Sequence, residues 1–255
     1  MLGKIAESCR YLLDNFPGAQ AVKEYLDSRL NEESQETFGF GYFPGIQNLN
    51  VLTDMIGEDI LRKEKLLYYK NMEDSLGPRS YPICYFEDNQ LIMPFRNTYG
   101  EVVGLVGRSL LGDNDTKPEK WVKYKNTQET SKFKKGNLLF GLYENKQSII
   151  EQNCVYIVEG QFDVIKAVEK GFKNIVALGT NSMTPYQFSV ISRYTENIFL
   201  LLDNDDSGAK GRKRIIERYG KFANIQNFYL PNPYKDIDEY FTKTGESSVS
   251  FVVRA

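Results

Sequence analysis

The sequence predicts an α/β protein in two parts: an α+β N-terminal subdomain followed by a Rossmann-like parallel sheet with helices on both faces. Three observations predict it. Residues 155–243 alternate short apolar runs with helix-like segments four times in succession, the pattern that feeds a parallel sheet. Residues 81–111 hold short apolar runs split by turn residues, which read as antiparallel strands. Upstream of these, apolar residues recur at helical spacing.

In chain order, Leu2, Ile5, Cys9, Leu12 and Leu13 mark a helix, and AQAVKEYLDSRL renews the pattern after Pro17-Gly18. Residues 37–50, with FGFGYFPGIQ, predict an irregular or short-strand segment, and 51–70 a return to helix. YPICYF, QLIMPF and EVVGLVGRSLL are predicted strands, separated by turn residues at 87–89 and 97–100. Residues 113–137 are polar and basic and predict a loop. Beyond them VYIVEG is a strand and FDVIKAVEKG a helix closed by Gly171. NIVALGT is a strand, and TPYQFSVISRY a helix with Thr184 as cap and Pro185 in its first turn, where a missing N–H costs nothing. NIFLLLD, SGAKGRKRIIERYG, IQNFYLP and KDIDEYFTK continue strand, helix, strand, helix. A boundary is expected near 145–153, giving parts over 1–150 and 151–242 and a tail over 243–255.

Composition excludes several chemistries. There is no histidine, so a Ser-His-Asp triad, a Cys-His dyad and a His-ligated zinc are ruled out. The three cysteines, Cys9, Cys84 and Cys154, are scattered and form no Cys-x-x-Cys pair. That argues for no zinc and for a reducing compartment. A bound metal must take oxygen ligands, which favours Mg²⁺ or Mn²⁺. No apolar run reaches the ~18 residues of a membrane span, and the acid-bearing N-terminus does not read as a signal peptide. The expected setting is the cytoplasm. Net charge is −2, so any nucleic-acid surface must be a local patch.

Acids stand at three predicted strand ends: Glu159 with Asp163 in IVEGQFD, Asp203 with Asp205 in LLLDNDDSG, and Asp236 with Asp238 in KDIDEYF. Residues two apart on an extended chain face the same side, and carboxyl ends of parallel strands line the ligand crevice. Gly160 lets the chain turn closely after Glu159. Gathered carboxylates repel one another and call for a divalent cation. Each piece alone also fits a bland reading: Asp206 or Ser207 as a helix cap, and the 236–238 pair as a helix start. Between 117 and 135 lie seven lysines and two acids, with Trp121 and Tyr124 interleaved. This is either a solvated loop or a strand-binding surface. Arg212, Lys213, Arg214 and Arg218 read as a solvated helix face, with template binding as the alternative.

At these residues the chain resembles the TOPRIM domain shared by bacterial-type (DnaG-like) DNA primases, topoisomerases and some nucleases. YIVEGQFDVIKA and LLLDNDDSGAKG are similar to its Glu-Gly and Asp-x-Asp elements. NIVALGTNSMTPYQ and KDIDEYF resemble the primase versions of the intervening and following segments. Upstream, LIMPFRNTYGEVVGLVGRSL and KYKNTQETSKFKKGNLLFGLYE resemble the primase strands and basic motif, so the likeness covers roughly 20–242. One departure is Glu-Asp-Asn-Gln at 87–90, where these primases usually carry an arginine.

The resemblance implies a reduced, phage-like primase core that makes RNA primers on single-stranded DNA from NTPs. It implies Glu159, Asp203 and Asp205 as catalytic residues, and these with Asp163, Asp236 and Asp238 as the Mg²⁺ or Mn²⁺ site. Arg108, Lys123, Tyr124, Asn126, Lys134, Lys135 and Gly160 would bind nucleotide or template. On this resemblance the family's zinc-binding domain, the helical subdomain after TOPRIM and the helicase-binding region are expected to lack a counterpart here. A zinc-binding module and a replicative helicase are therefore expected to act in trans. A TOPRIM nuclease and a non-catalytic single-stranded-DNA-binding accessory protein are the alternatives.

Overall fold

The computed structural model describes residues 1–74, 77–112, 115–131 and 133–246. The tail expected over 243–255 lies from 247 onward outside the described residues, as does Lys132 of the basic run. The chain forms two compact units. The first comprises Met1–Arg29, Phe38–Phe95 and Glu101–Thr130; the second comprises Leu30–Thr37, Arg96–Gly100 and the chain from Ser131 onward.

The N-terminal half holds α1 (Leu2–Asn15), α2 (Gln20–Asp27), α3 (Glu32–Phe38), β1 (Gly41–Tyr42), α4 (Leu49–Ile56) and α5 (Glu58–Lys63). The strands β2 (Leu67–Asp74), β3 (Gly77–Cys84), β4 (Leu91–Arg96), β5 (Val102–Arg108) and β6 (Tyr124–Asn126) follow. The helical spacing of Ile5, Cys9, Leu12 and Leu13 buries that face of α1, which lies against β1 and β5. A four-stranded sheet runs in the order β1-β4-β5-β6. Its strand β4 is buried from Leu91 to Phe95, as an unbroken apolar run requires.

Two expectations are corrected here. Residues 67–70, expected as helix, begin β2, which pairs with β3 in a separate antiparallel ribbon. The run Leu66-Leu67-Tyr68-Tyr69 carries no period that separates helix from strand, and the pairing decides. The segment 113–137, expected as loop, contributes β6, which pairs with β5 through Arg108↔Tyr124, and a short 3₁₀ turn at Lys135–Asn137.

The second unit continues with α6 (Leu142–Gln152), β7 (Val155–Val158), α7 (Gln161–Glu169), β8 (Ile175–Ala177) and α8 (Pro185–Ile191). It closes with β9 (Asn197–Leu200), α9 (Asp206–Tyr219), β10 (Asn224–Asn227) and α10 (Ile237–Thr244). Its four strands are parallel in the order β10-β9-β7-β8. Thus β7 to β8 steps one way, and β8 to β9 steps back across β7. With right-handed crossovers, that reversal sends the helices to both faces. It also opens a crevice between the carboxyl ends of β7 and β9.

On one face α7 packs with α10. On the other, α8 and α9 meet through stacked Phe188 and Tyr219, with ring centroids 4.4 Å apart. Ile157, Val176, Ile198 and Leu200 join Ile191 and Ile215 in the core. Thr184 caps α8 with Pro185 at its start, and Gln187 returns a bond to Thr184 N, a reciprocal cap. Among the described residues no helix is long and apolar enough to cross a membrane.

Candidate active site

The crevice between β7 and β9 is lined by acids because each apolar strand ends in one. Glu159 follows β7, and Asp203 follows Leu201-Leu202, the two residues just past β9. Strand-like bonding persists past the strand ends, with Leu201 N donating to Ile157 O at 2.9 Å and Gly179 N to Glu159 O at 3.0 Å. The backbone under these acids is therefore fixed.

Caps hold most of the other acids. Asp205 is the N-cap of α9, and its Oδ1 accepts from Gly208 N at 2.9 Å. Asp236 is the N-cap of α10 and accepts from Glu239 N at 2.8 Å. The cap of α9 is thus Asp205 rather than the expected Asp206 or Ser207, while the 236–238 pair does start a helix. Asp163 is buried in the first turn of α7. Its Oδ2 accepts from Gly160 N at 3.1 Å and its Oδ1 from Asp238 N at 3.0 Å, so it braces α7 to the start of α10.

Two small residues tighten the aspartate loop. A Cβ on Gly208 would stand 2.1 Å from Asp203 O, so only glycine allows α9 to start this close. Asn204 N donates to Lys235 O at 2.8 Å, and its Nδ2 donates to Leu230 O and Tyr234 O, each at 3.0 Å. These bonds join the loop at 203–205 to the loop at 230–235. They deliver Lys235, whose Nζ lies 3.2 Å from Asp203 Oδ2 and 3.3 Å from Asp205 Oδ2.

The electrostatics follow from this crowding. Burial, then the Asp203 charge, pushes Glu159 up to about 6. Burial likewise raises Asp203 against the pull of Lys235. Burial and then Asp236 hold Asp163 well above the carboxylate range, and burial raises Asp236. Asp205 moves down, because Gly208 N–H and then Lys235 favour its charged form. The Asp203 bond raises Lys235. Glu159 Oε1 is buried with no hydrogen-bond partner. Among the described residues, no three acid or thiol side chains form a ready-made metal cage.

Of the remaining candidates, Gly160 N-caps α7 beside Glu159. Lys135 belongs to the same unit as the acids. Its Cε lies 3.5 Å from where a Gly179 Cβ would be, and Lys134 beside it is exposed. Arg108, Lys123, Tyr124 and Asn126 belong to the first unit. Arg108 is buried between the rings of Tyr25 and Tyr124, 4.7 and 5.6 Å from their centroids. Lys123 is exposed just ahead of β6, and the Asn126 carbonyl accepts from Tyr85 Oη at 2.6 Å.

Three residues of the acidic site escaped the sequence reading. Lys235 and Asn204 carry no signal of their own in the sequence, although each sits next to a marked aspartate in KDIDEYF or LLLDNDD. Arg212, expected on a solvated face, is instead buried. Its Nη1 donates to Leu202 O at 2.7 Å and Asp203 O at 3.2 Å, and its guanidinium lies 4.5 Å over the Tyr229 ring. Nothing in Arg-Lys-Arg at 212–214 marks which cation turns inward.

Residues 10–146 match the family model "DNA primase catalytic core, N-terminal domain", and residues 156–241 match a Toprim-like model. The chain belongs to the DNA primase catalytic-core family. The DNA primase of Aquifex aeolicus is 29% identical over 251 residues, covering 97% of this chain and 47% of that protein. The crystal structure of the zinc-binding and RNA polymerase domains of the Aquifex aeolicus primase matches with a TM-score of 0.76 at 30% identity. It covers 96% of this chain and 57% of that one. A DnaG primase catalytic domain bound to single-stranded DNA matches with a TM-score of 0.73 at 27% identity, over 95% of this chain and 75% of that one. The chain thus spans about half the length of its Aquifex primase relative. These primase-core likenesses agree with the predicted fold class, an α+β part followed by a TOPRIM parallel sheet.

Proposed function

We propose that the chain is the catalytic portion of a DNA primase, making short RNA primers on a single-stranded DNA template by metal-dependent nucleotidyl transfer. The observation that carries this reading is the meeting of Glu159, Asp203 and Asp205 at the switch point of a primase-family parallel sheet. Primer growth joins a 3′-hydroxyl to the α-phosphate of an NTP and releases pyrophosphate. Its demand is charge stabilisation and in-line alignment.

The residues fit Mg²⁺ or Mn²⁺. The donors are hard carboxylate oxygens, one buried oxygen of Glu159 lacks a partner, and Asp203 and Asp205 already share a cation. Glu159, Asp203 and Asp205 would hold one ion. Asp163, Asp236 and Asp238 would serve a second that escorts the triphosphate. Such ions supply neutralisation of phosphate charge and a lower pKa for the attacking hydroxyl. Glu159, titrating at about 6, is suited to accept that hydroxyl's proton where it is not itself a ligand. Gly160 and Lys135, with Lys134 beside it, would meet the nucleotide's phosphates. Arg108, Lys123, Tyr124 and Asn126 would meet the template through charge and stacking. A replicative helicase and a zinc-binding module are the further partners in this reading, set in the cytoplasm.

The test is incorporation of labelled NTPs on single-stranded DNA with Mg²⁺ or Mn²⁺, with candidate partners added. Asp203→Asn and Asp205→Asn should each lower synthesis at least about 100-fold while circular dichroism stays unchanged. Full activity in both variants refutes the assignment. Metal-dependent cleavage without incorporation replaces it with a nuclease.

A further inference from the structure

Lys235 stands where the proposed metal site would need its cation. Its Nζ is within 3.3 Å of one oxygen from each of Asp203 and Asp205. Among the described residues it is the cation paired with those two carboxylates. Arg212 spends its Nη1 on the carbonyls of Leu202 and Asp203.

The placement is built into the backbone. Asn204 ties the loop carrying Lys235 at three carbonyls, and Lys235 N donates to Glu239 Oε2 at 2.7 Å. The Lys235 main chain is thereby fixed beside the aspartates. Its side chain is 53% exposed, against 17% for Asp203. The lysine arm can leave for water at little cost, and the half-enclosed carboxylate is the partner that needs a counter-charge.

A divalent ion bound to both aspartates would take oxygen ligands at about 2.1 Å. It would then lie in the gap that the ammonium now spans, so the two cannot be present together. One ammonium also leaves the paired carboxylates with a net negative charge, whereas a divalent ion neutralises both.

We propose that Lys235 is a built-in counter-ion that occupies the Asp203–Asp205 pair until a divalent cation displaces it, so that metal loading is held back by an ammonium the chain supplies itself. This rests on the metal-dependent reading above.

The test measures Mn²⁺ binding to the full chain by calorimetry and electron paramagnetic resonance, without nucleotide, in wild type, Lys235→Met, Lys235→Arg and Asp203→Asn. Methionine keeps the apolar arm and removes the charge. Lys235→Met should bind Mn²⁺ about tenfold more tightly, because the ion no longer has to displace an ammonium held about 3 Å from a carboxylate in a watery medium. Lys235→Arg should bind no more tightly than wild type. In chelator, Lys235→Met should melt at a lower temperature than wild type, because its aspartates repel unshielded, and saturating Mn²⁺ should close that gap.

Unchanged or weaker Mn²⁺ binding in Lys235→Met overturns the proposal. If Asp203→Asn still loses the ion in that case, the metal site stands and the role of Lys235 alone falls. If all four proteins bind Mn²⁺ equally or none binds it, the metal site falls as well.

Discussion

The acids of the second unit and the lysines of the first are organised in opposite ways. Glu159, Asp203, Asp205 and Asp236 sit at strand ends or helix caps, each on backbone fixed by named hydrogen bonds. Lys120 and Lys123 are exposed on a segment whose regular structure is the three-residue β6. Lys117 and Lys125 rest on the rings of Trp121 and Tyr85. Arg108 is the exception, held between two tyrosines. The difference is the one the proposed function would require: acids that do chemistry must be placed to a fraction of an ångström, whereas cations that follow a flexible phosphate backbone work by number.

The comparison breaks most sharply at Gly208. Gly208→Ala should cost about 3 kcal/mol, because its Cβ meets a carbonyl rather than a side chain that could step aside. Primer synthesis should fall with it. Urea unfolding and an incorporation assay check this, and an unaltered midpoint would show that the aspartate loop is softer than its packing implies.

A smaller effect is expected at Glu159. Its folded pKa of about 6 lies above the ordinary 4.5, so the native state holds this proton more tightly. In chelator its contribution to stability should therefore fall as pH rises from about 4.5 through 6. Glu159→Gln should remove that slope, worth about 1 kcal/mol after allowance for partial exposure. Urea midpoints at pH 4.5 and 7.5 measure it, and an unchanged slope would mean that the carboxylate is better solvated than its position suggests.

The smallest effects belong to the basic segment. Lys120→Ala and Lys123→Ala should each weaken single-stranded DNA binding a few-fold and lower the salt slope by about 0.7. Fluorescence anisotropy at several salt concentrations reads this. A single lysine whose loss abolished binding would show a positioned contact and narrow the contrast.

Much of the second unit was legible because its signals are local. An apolar run that ends in an acid marks a strand end, as at Val158-Glu159 and Leu202-Asp203, and Thr184-Pro185 marks a helix start without reference to anything distant. What escaped depends on partners far along the chain. The ribbon of β2 and β3 begins in a Leu- and Tyr-rich run that either periodicity accepts. The strand β6 exists because Tyr124 pairs with Arg108. Arg212 turns inward because carbonyls and the Tyr229 ring await it, and Lys235 faces aspartates some thirty positions earlier. Local charge patterning describes none of these partners.

The amide of Asn204 has a consequence for the middle position of Asp-Asn-Asp. Its nitrogen is shared between two carbonyls of the neighbouring loop, while its own oxygen is buried and accepts nothing. What that position contributes is therefore donation alone. An aspartate there, nearly the same shape, would face oxygen with oxygen and prise the two loops apart, so a triplet with one more acid would be the poorer holder of cations.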